Sequence, residues 1–409
     1  MTLPFGVDGL RIGAGDILVG PLAAIFLAIA TVRRDRIAWC PPATPYLLFA
    51  MTLVLIGALV IGRIEIGHWT PWALVNRFAG WFVLIAYFLS GASISRNGGG
   101  RALDKFALVY LVALAATVLL HIVPMALAAT GIAEVTPRLT GHNGGIAQLA
   151  GFLDNPNAFA MALLLGSAIA FAYAPAIAER AGPWLPWALL TCMTTGLWFT
   201  TSRAAWIAWL AMALAAVAMR ALPWRATGLA LIATGAICYA LAGAAGGATG
   251  TAEDKVLSMF GASPNSNPLA EAGDVERLRT VDRTLDLWRQ EPIFGAGLGS
   301  YLAIQEAEDN GRAIVIHSTG LWLLVETGLV GVAVFFGAFT TILIGVWRRA
   351  SGATVADDRP FHRCTLFFLI GFAVMSLGHD LLYQRVLWLV LGLALAIPRT
   401  DRLPRPELT

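Results

Sequence analysis

Residues 318–347 read STGLWLLVETGLVGVAVFFGAFTTILIGVW, and Glu326 is the one ionisable side chain among them. A stretch this long and this apolar predicts a membrane-spanning helix. At about 1.5 Å per residue it measures about 45 Å, against about 30 Å of bilayer hydrocarbon. Either it tilts, or its outer end stands clear of the lipid. The rest of the chain has the same character. Of 409 residues 58% are apolar and 13% charged, about half the roughly 25% charge of soluble domains. Mean hydropathy is +0.72. This composition excludes an ordinary cytoplasmic enzyme, a disordered chain and a secreted disulfide scaffold. It predicts an all-α, polytopic integral membrane protein of about 11–12 helices.

Outward from that helix, apolar stretches of span length fall at 17–32, 45–62, 73–91, 106–125, 158–175, 184–200, 204–219, 226–245, 364–378 and 381–397. Residues 1–16 have room for part of one more. The first span is not expected to be a cleaved leader. Arg33, Arg34 and Arg36 follow it with no small-residue cleavage pattern. The charge balance, 28 Lys and Arg against 25 Asp and Glu, is too even to point to nucleic acid. Its placement is more telling. The alternate loops 33–44, 92–105, 176–183, 220–225, 348–363 and 398–409 hold 16 Lys and Arg. The short loops of the other set hold Arg11, Arg63, Arg138 and Arg203. Basic loops stay in the cytoplasm, so the C-terminus is expected inside and residues 246–316 outside. The chain thus divides into N-terminal helices (1–245), a large outer loop (246–316) and C-terminal helices with a tail (317–409). Cys40, Cys192, Cys238 and Cys364 lack metal-ligand spacing. They are expected to be core residues, with neither metal nor disulfide.

The outer loop is 71 residues long while its neighbours are mostly short. Loops of that length are usually functional or disordered. Its start at 245 and the run Gly261-Ala-Ser-Pro-Asn-Ser-Asn-Pro268 are expected to be flexible. Residues 275–290 predict a helix on which Leu278, Val281, Leu285 and Trp288 share one face. Arg279 and Arg283 lie opposite, beside Asp282 and Asp286, as a solvated salt-bridged face. Arg277 lies at the edge of the apolar face, so packing of that face would aim it at the membrane domain. Arg203 stands between two closely spaced helices at a membrane boundary, where a guanidinium either anchors the interface or binds an anion. His317 precedes the long helix, and an imidazole there can take up a proton near neutral pH. Glu326 is expected to pair with an arginine inside the spans, Arg77 or Arg385. His68 beside Trp69 is interfacial, and the pair His379–Asp380 has no assigned role.

Two arginines and a histidine on one face suit phosphate binding and proton abstraction from a hydroxyl. Three motifs carry a resemblance that fits this chemistry. They are Ser202-Arg203-Ala-Ala-Trp; Glu276-Arg277 followed by the amphipathic helix and Pro292-Ile-Phe-Gly-Ala-Gly-Leu-Gly-Ser-Tyr301; and His317-Ser318, nine residues, Gly328, two residues, Gly331. With Asn155-Pro156-Asn157 ahead of a central span, the chain resembles the O-antigen ligase and O-antigen polymerase superfamily of bacterial envelope glycosyltransferases.

The resemblance implies a GT-C-type membrane fold and a glycan donor on undecaprenyl diphosphate at the periplasmic face of the inner membrane. It implies inverting transfer with no metal and no cofactor. It makes His317 the general base, and Arg203 and Arg277 the diphosphate clamp, with Arg138 as a looser further contact. A ligase would use a lipid A-core acceptor, and a polymerase a second lipid-linked repeat unit. The histidine signature favours the ligase. The amino-terminal end departs from the family pattern in lacking a full first helix. Two other classes stay open, a transporter or flippase and a noncatalytic envelope scaffold. A transporter predicts interrupted helices or repeated halves near the midplane, and neither is evident.

Overall fold

The computed structural model describes residues 14–32, 41, 43–129, 140–143, 146–153, 155–222, 224–244, 268–308, 314–352 and 359–396. Arg138, residues 1–13, the start of the outer loop at 245 and the run 261–267 lie outside these. Twelve helices make up the described fold: α1 Ala14–Val32, α2 Ala43–Ile66, α3 Gly80–Ala129, α4 Pro156–Ala181, α5 Leu185–Phe199, α6 Arg203–Ala218, α7 Trp224–Ala244, α8 Pro268–Gln290, α9 Ser300–Glu308, α10 Thr319–Ser351, α11 Arg359–Met375 and α12 Arg385–Leu395. A π-helical stretch, Trp72–Ala79, leads into α3. A short antiparallel hairpin, Thr140–Asn143 with Ile146–Leu149, departs from an all-helical chain.

Among the described residues four segments are long and apolar enough to cross a membrane: 43–66, 72–123, 156–181 and 319–351. Trp72–Val123 is 52 residues, about 78 Å at 1.5 Å each, enough for two crossings. Five further apolar helices of 10–17 residues accompany them. The two spans expected at 73–91 and 106–125 are arms of one assigned helix. The loop expected between them is itself helical on both sides of a break at Gly99, where φ is 56°.

Helix α4 is the centre. The Asn155 side chain caps it, accepting from the Asn157 and Ala158 amides at 2.9 and 3.2 Å, and Pro156 fits the first turn. Nearly every side chain from Ala158 to Ala174 is buried, which is why the sequence is apolar all round rather than on one stripe. Helix α4 packs against α5, α6 and α11. Helix α12 lies along α3, and α10 packs against α2 and α11.

Helix α10 is not one rod. It breaks at Gly328, where φ is 63° and ψ −166°. The motif Pro292–Gly299 fills the break. Ala296 N donates to Val325 O at 2.8 Å, Leu329 N to Pro292 O at 3.0 Å and Val330 N to Ile293 O at 3.1 Å. The loop replaces hydrogen bonds that the helix gives up. On its other side Leu298 N donates to Ala58 O of α2 at 2.8 Å. Gly297, at φ +90°, meets the backbone of Gly62, and a Cβ on either residue would overlap the other's backbone neighbourhood. The glycines at 295, 297 and 299 therefore seat the loop between two spans.

The seat gives a testable contrast. Gly62→Ala should lower the melting temperature of the purified protein, because overpacking costs about 1–3 kcal/mol. Gly57→Ala, on the same helix with nothing within 4 Å of its would-be Cβ, should leave it unchanged. Equal melting curves for the two variants would contradict the close backbone approach.

Candidate functional site

His317 sits on backbone fixed from both directions. Ahead of it, buried Gln305 accepts the Ile314 amide at 2.8 Å and donates to the Tyr301 hydroxyl at 2.7 Å. Behind it, Ser318 caps α10, its Oγ accepting from Leu321 N at 3.4 Å. A serine after the histidine is thus a helix-start signal. Thr319 then ties the start of α10 to the turn between α11 and α12. Its amide donates to Ser376 O and His379 O at 3.1 and 3.3 Å. Its hydroxyl donates to His379 O at 3.1 Å and accepts from Leu381 N at 3.0 Å. The His317 residue itself stays exposed at the mouth of this arrangement.

Helix α8 packs on α10, but through a face rotated from the expected one. Thr280 and Thr284 are buried and Leu287 is partly buried, while Val275 and Leu278 are 49% and 67% exposed. The threonines satisfy their own hydroxyls on the preceding turn: Thr280 Oγ1 donates to Glu276 O, and Thr284 Oγ1 to Thr280 O. Small hydroxyl residues let the helix approach closely, which a search for large apolar side chains misses. Arg277 lies on this threonine face at helical spacing. It is close enough to His317 and His379 to disfavour a proton on either.

Arg203 opens α6 behind Ser202, in a tight turn where Thr201 takes φ 54°. It is exposed. Its neighbour Ala204 abuts Gly378: a Cβ on that glycine would lie 3.5 Å from the Ala204 Cβ. The start of α6 therefore borders the turn that carries His379. Arg277, His317 and His379 are brought together electrostatically, and Arg203 joins them through this backbone contact. Arg138 lies outside the described residues.

Sequence reasoning missed what lies beneath. Arg77, in the π-helical stretch, is buried, and its Nη2 donates to Asp380 Oδ2 at 2.6 Å. Its guanidinium is ringed by Trp322, Tyr383 and Trp72 at 4.3, 4.8 and 5.1 Å from the ring centres. The Tyr383 hydroxyl donates to Arg77 O at 2.9 Å. Glu326 is buried and accepts from Trp322 Nε1 at 2.7 Å. Arg77 is its cationic neighbour, while the direct ion pair goes to Asp380. Arg385 instead pairs with Asp16 of α1 at 2.5 Å. The available signal was the pair His379–Asp380 between two apolar stretches, facing an arginine within a third. Their 303-residue separation hides it.

Both histidines are biased toward the neutral form. Although the residue is exposed, the protein around the imidazole limits its hydration, which lowers the His317 pKa first; Arg277 adds to it, against opposing pulls from Asp380 and Glu276. Burial, then Arg277 and His317, pushes His379 down to about 4. A neutral imidazole beside a permanent guanidinium can accept a proton where an anion is held. Among the described residues no group of three or more His, Cys, Asp or Glu could hold a metal ion.

Residues 188–336 match the Wzy_C family model, described as O-antigen ligase. The family covers O-antigen ligases and polymerases. The matched segment runs from α5 into α10 and includes Arg203, Arg277, the glycine loop and His317. Arg77, His379 and Asp380 lie beyond it. No curated protein matches the chain.

Two stability outcomes follow from this geometry. Asp380→Asn should destabilise the protein by about 3–5 kcal/mol, because it leaves a buried guanidinium without its carboxylate. Adding Arg77→Met should restore part of that loss, and chemical denaturation of the three variants checks it. His379 takes up a proton near pH 6.5 when unfolded but near 4 when folded. Stability should therefore fall as pH drops from about 6.5 toward 4, by up to roughly 3 kcal/mol. In His379→Gln the melting temperature should depend less steeply on pH over that window.

Proposed function

We propose that the protein is an O-antigen ligase that moves a glycan from undecaprenyl diphosphate to a sugar hydroxyl of lipid A-core. The observation that carries this reading is the packing of α8, which bears Arg277, on α10, which His317 precedes, within a segment that matches the ligase family. The three blocks 1–245, 246–316 and 317–409 act as one GT-C-type membrane unit. On this reading the C-terminus lies in the cytoplasm and the site faces the periplasm across the inner membrane, and the basic residues of the alternate loops support that sidedness.

In this mechanism the acceptor oxygen attacks the anomeric carbon of the donor from the face opposite the diphosphate. The new glycosidic bond forms as the anomeric carbon–oxygen bond to diphosphate breaks, which inverts configuration. The diphosphate leaves with the bonding electron pair. Arg203 and Arg277 meet its charge in fork geometry, and Arg138 adds a further contact. The acceptor proton passes to His317, whose neutral bias keeps it ready as a base. Guanidinium groups take the place that a divalent cation fills in metal-dependent phosphate chemistry, so no metal or other cofactor enters the step.

The polymerase reading uses the same donor and the same residues with a second lipid-linked repeat unit as acceptor. The family's scope supports it equally, and the histidine signature favours the ligase.

The test is transfer by purified protein given undecaprenyl-diphosphate glycan with lipid A-core or a second lipid-linked repeat. Product on lipid A-core alone is expected. A ladder of longer lipid-linked glycans would establish the polymerase instead. His317→Ala should abolish transfer and keep donor binding. Arg277→Lys should cost more than about tenfold in kcat/KM, because a point charge does not replace a fork. Transfer lost in EDTA and restored by added metal would overturn the metal-independent step.

A further inference from the structure

Helix α10 is 33 residues long, about 50 Å at 1.5 Å per residue, and its environment changes at the break. From Thr319 to Gly328 every residue is buried or partly buried. Beyond it Leu329, Val330, Phe336, Ile344 and Trp347 are exposed large apolar side chains. Arg348 and Arg349 close the helix. Counting back from Arg348 by the roughly 20 residues that cross a bilayer reaches Gly328. The lipid-facing part of α10 thus begins at the break, and the first ten residues are enclosed by protein.

Helix α2 gives the same level independently. Its apolar run ends at Gly62, ahead of Arg63 and Glu65. The seated loop meets α2 at Ala58 and Gly62. Both helices therefore set the loop at the membrane boundary. At its tip Ile293 and Phe294 are 56% and 59% exposed. They are large apolar side chains next to each other, and the backbone of Ile293 is bonded to that of Val330. Glu291 on one side is exposed and charged, and Arg289 pairs with Asp286 at 2.6 Å above it. The polarity reverses within a few residues, as it does at a membrane surface.

We propose that Ile293 and Phe294 form a wedge that inserts among the acyl chains of the leaflet nearest His317. The wedge continues the lipid-facing surface of α10 and fixes helix α8, with Arg277, at the bilayer. The proposal does not rest on the transfer chemistry and concerns the chain's contact with lipid alone.

The direct test uses wild-type protein reconstituted in vesicles of phospholipid that carries a diazirine on its acyl chain. After irradiation, adducts are mapped by mass spectrometry. Adducts are expected on residues 292–294 as well as on 329–336. Adducts on 329–336 without any on 292–294 would overturn the wedge. Absence from both stretches would overturn it together with the lipid-facing reading of α10. A second measurement places a nitroxide at Phe294→Cys in a background of Cys40→Ser, Cys192→Ala, Cys238→Ala and Cys364→Ala. Its accessibility to oxygen should exceed that to a polar nickel chelate several-fold relative to the same label at Glu291→Cys. Equal ratios at the two positions would overturn the proposal.

Discussion

A guanidinium buried inside a membrane protein has to be paired, and the pairing of Arg77 organises the region around His317. Its partner Asp380 comes from the turn between α11 and α12. That turn also supplies the carbonyl groups that hold Thr319, two residues beyond the exposed imidazole. One ion pair thus links the start of α3, the turn before α12 and the start of α10. The aromatic ring around Arg77 adds cation–π attraction and excludes water. Separating the two would leave a buried charge without its partner, so the arrangement is held to one geometry.

The second organising contact is made of backbone. Helix α10 gives up its hydrogen bonds at Gly328, and the loop from Pro292 supplies others. Irregular backbone near a membrane survives only where its polar groups find partners. Here the broken helix and the loop satisfy each other, and α2 closes the far side. Glu326 lies between the two contacts, on the turn of α10 ahead of the break and with Arg77 as its cationic neighbour. The carboxylate inside the span is therefore structural.

These two contacts account for the behaviour of α8. The helix leads into the seated loop, so its position on α10 is fixed at its C-terminal end. Trp288 Nε1, donating to Pro292 O at 3.2 Å, locks that junction. Arg277, about three turns earlier, is then carried to His317 on a face whose buried positions are threonines. Close packing against α10 needs small side chains at the contact, and this moves the apolar residues Val275 and Leu278 outward.

The sequence by itself determined the membrane character, the apolar stretches that become helices and the motifs around Arg203, Arg277 and His317. These are local properties: hydropathy over about 20 residues, the placement of basic residues between apolar stretches, and short runs of contiguous residues. The tertiary structure alone decided the break in α10, the face by which α8 packs, and the grouping of Arg77, Asp380, Tyr383 and Glu326. Periodicity identifies which residues share a helix face, but not which neighbour that face meets. It overlooks threonines, whose hydroxyls are satisfied within their own helix. An ion pair between residues 77 and 380 leaves no local trace, because its energy arises only when folding removes both charges from water together.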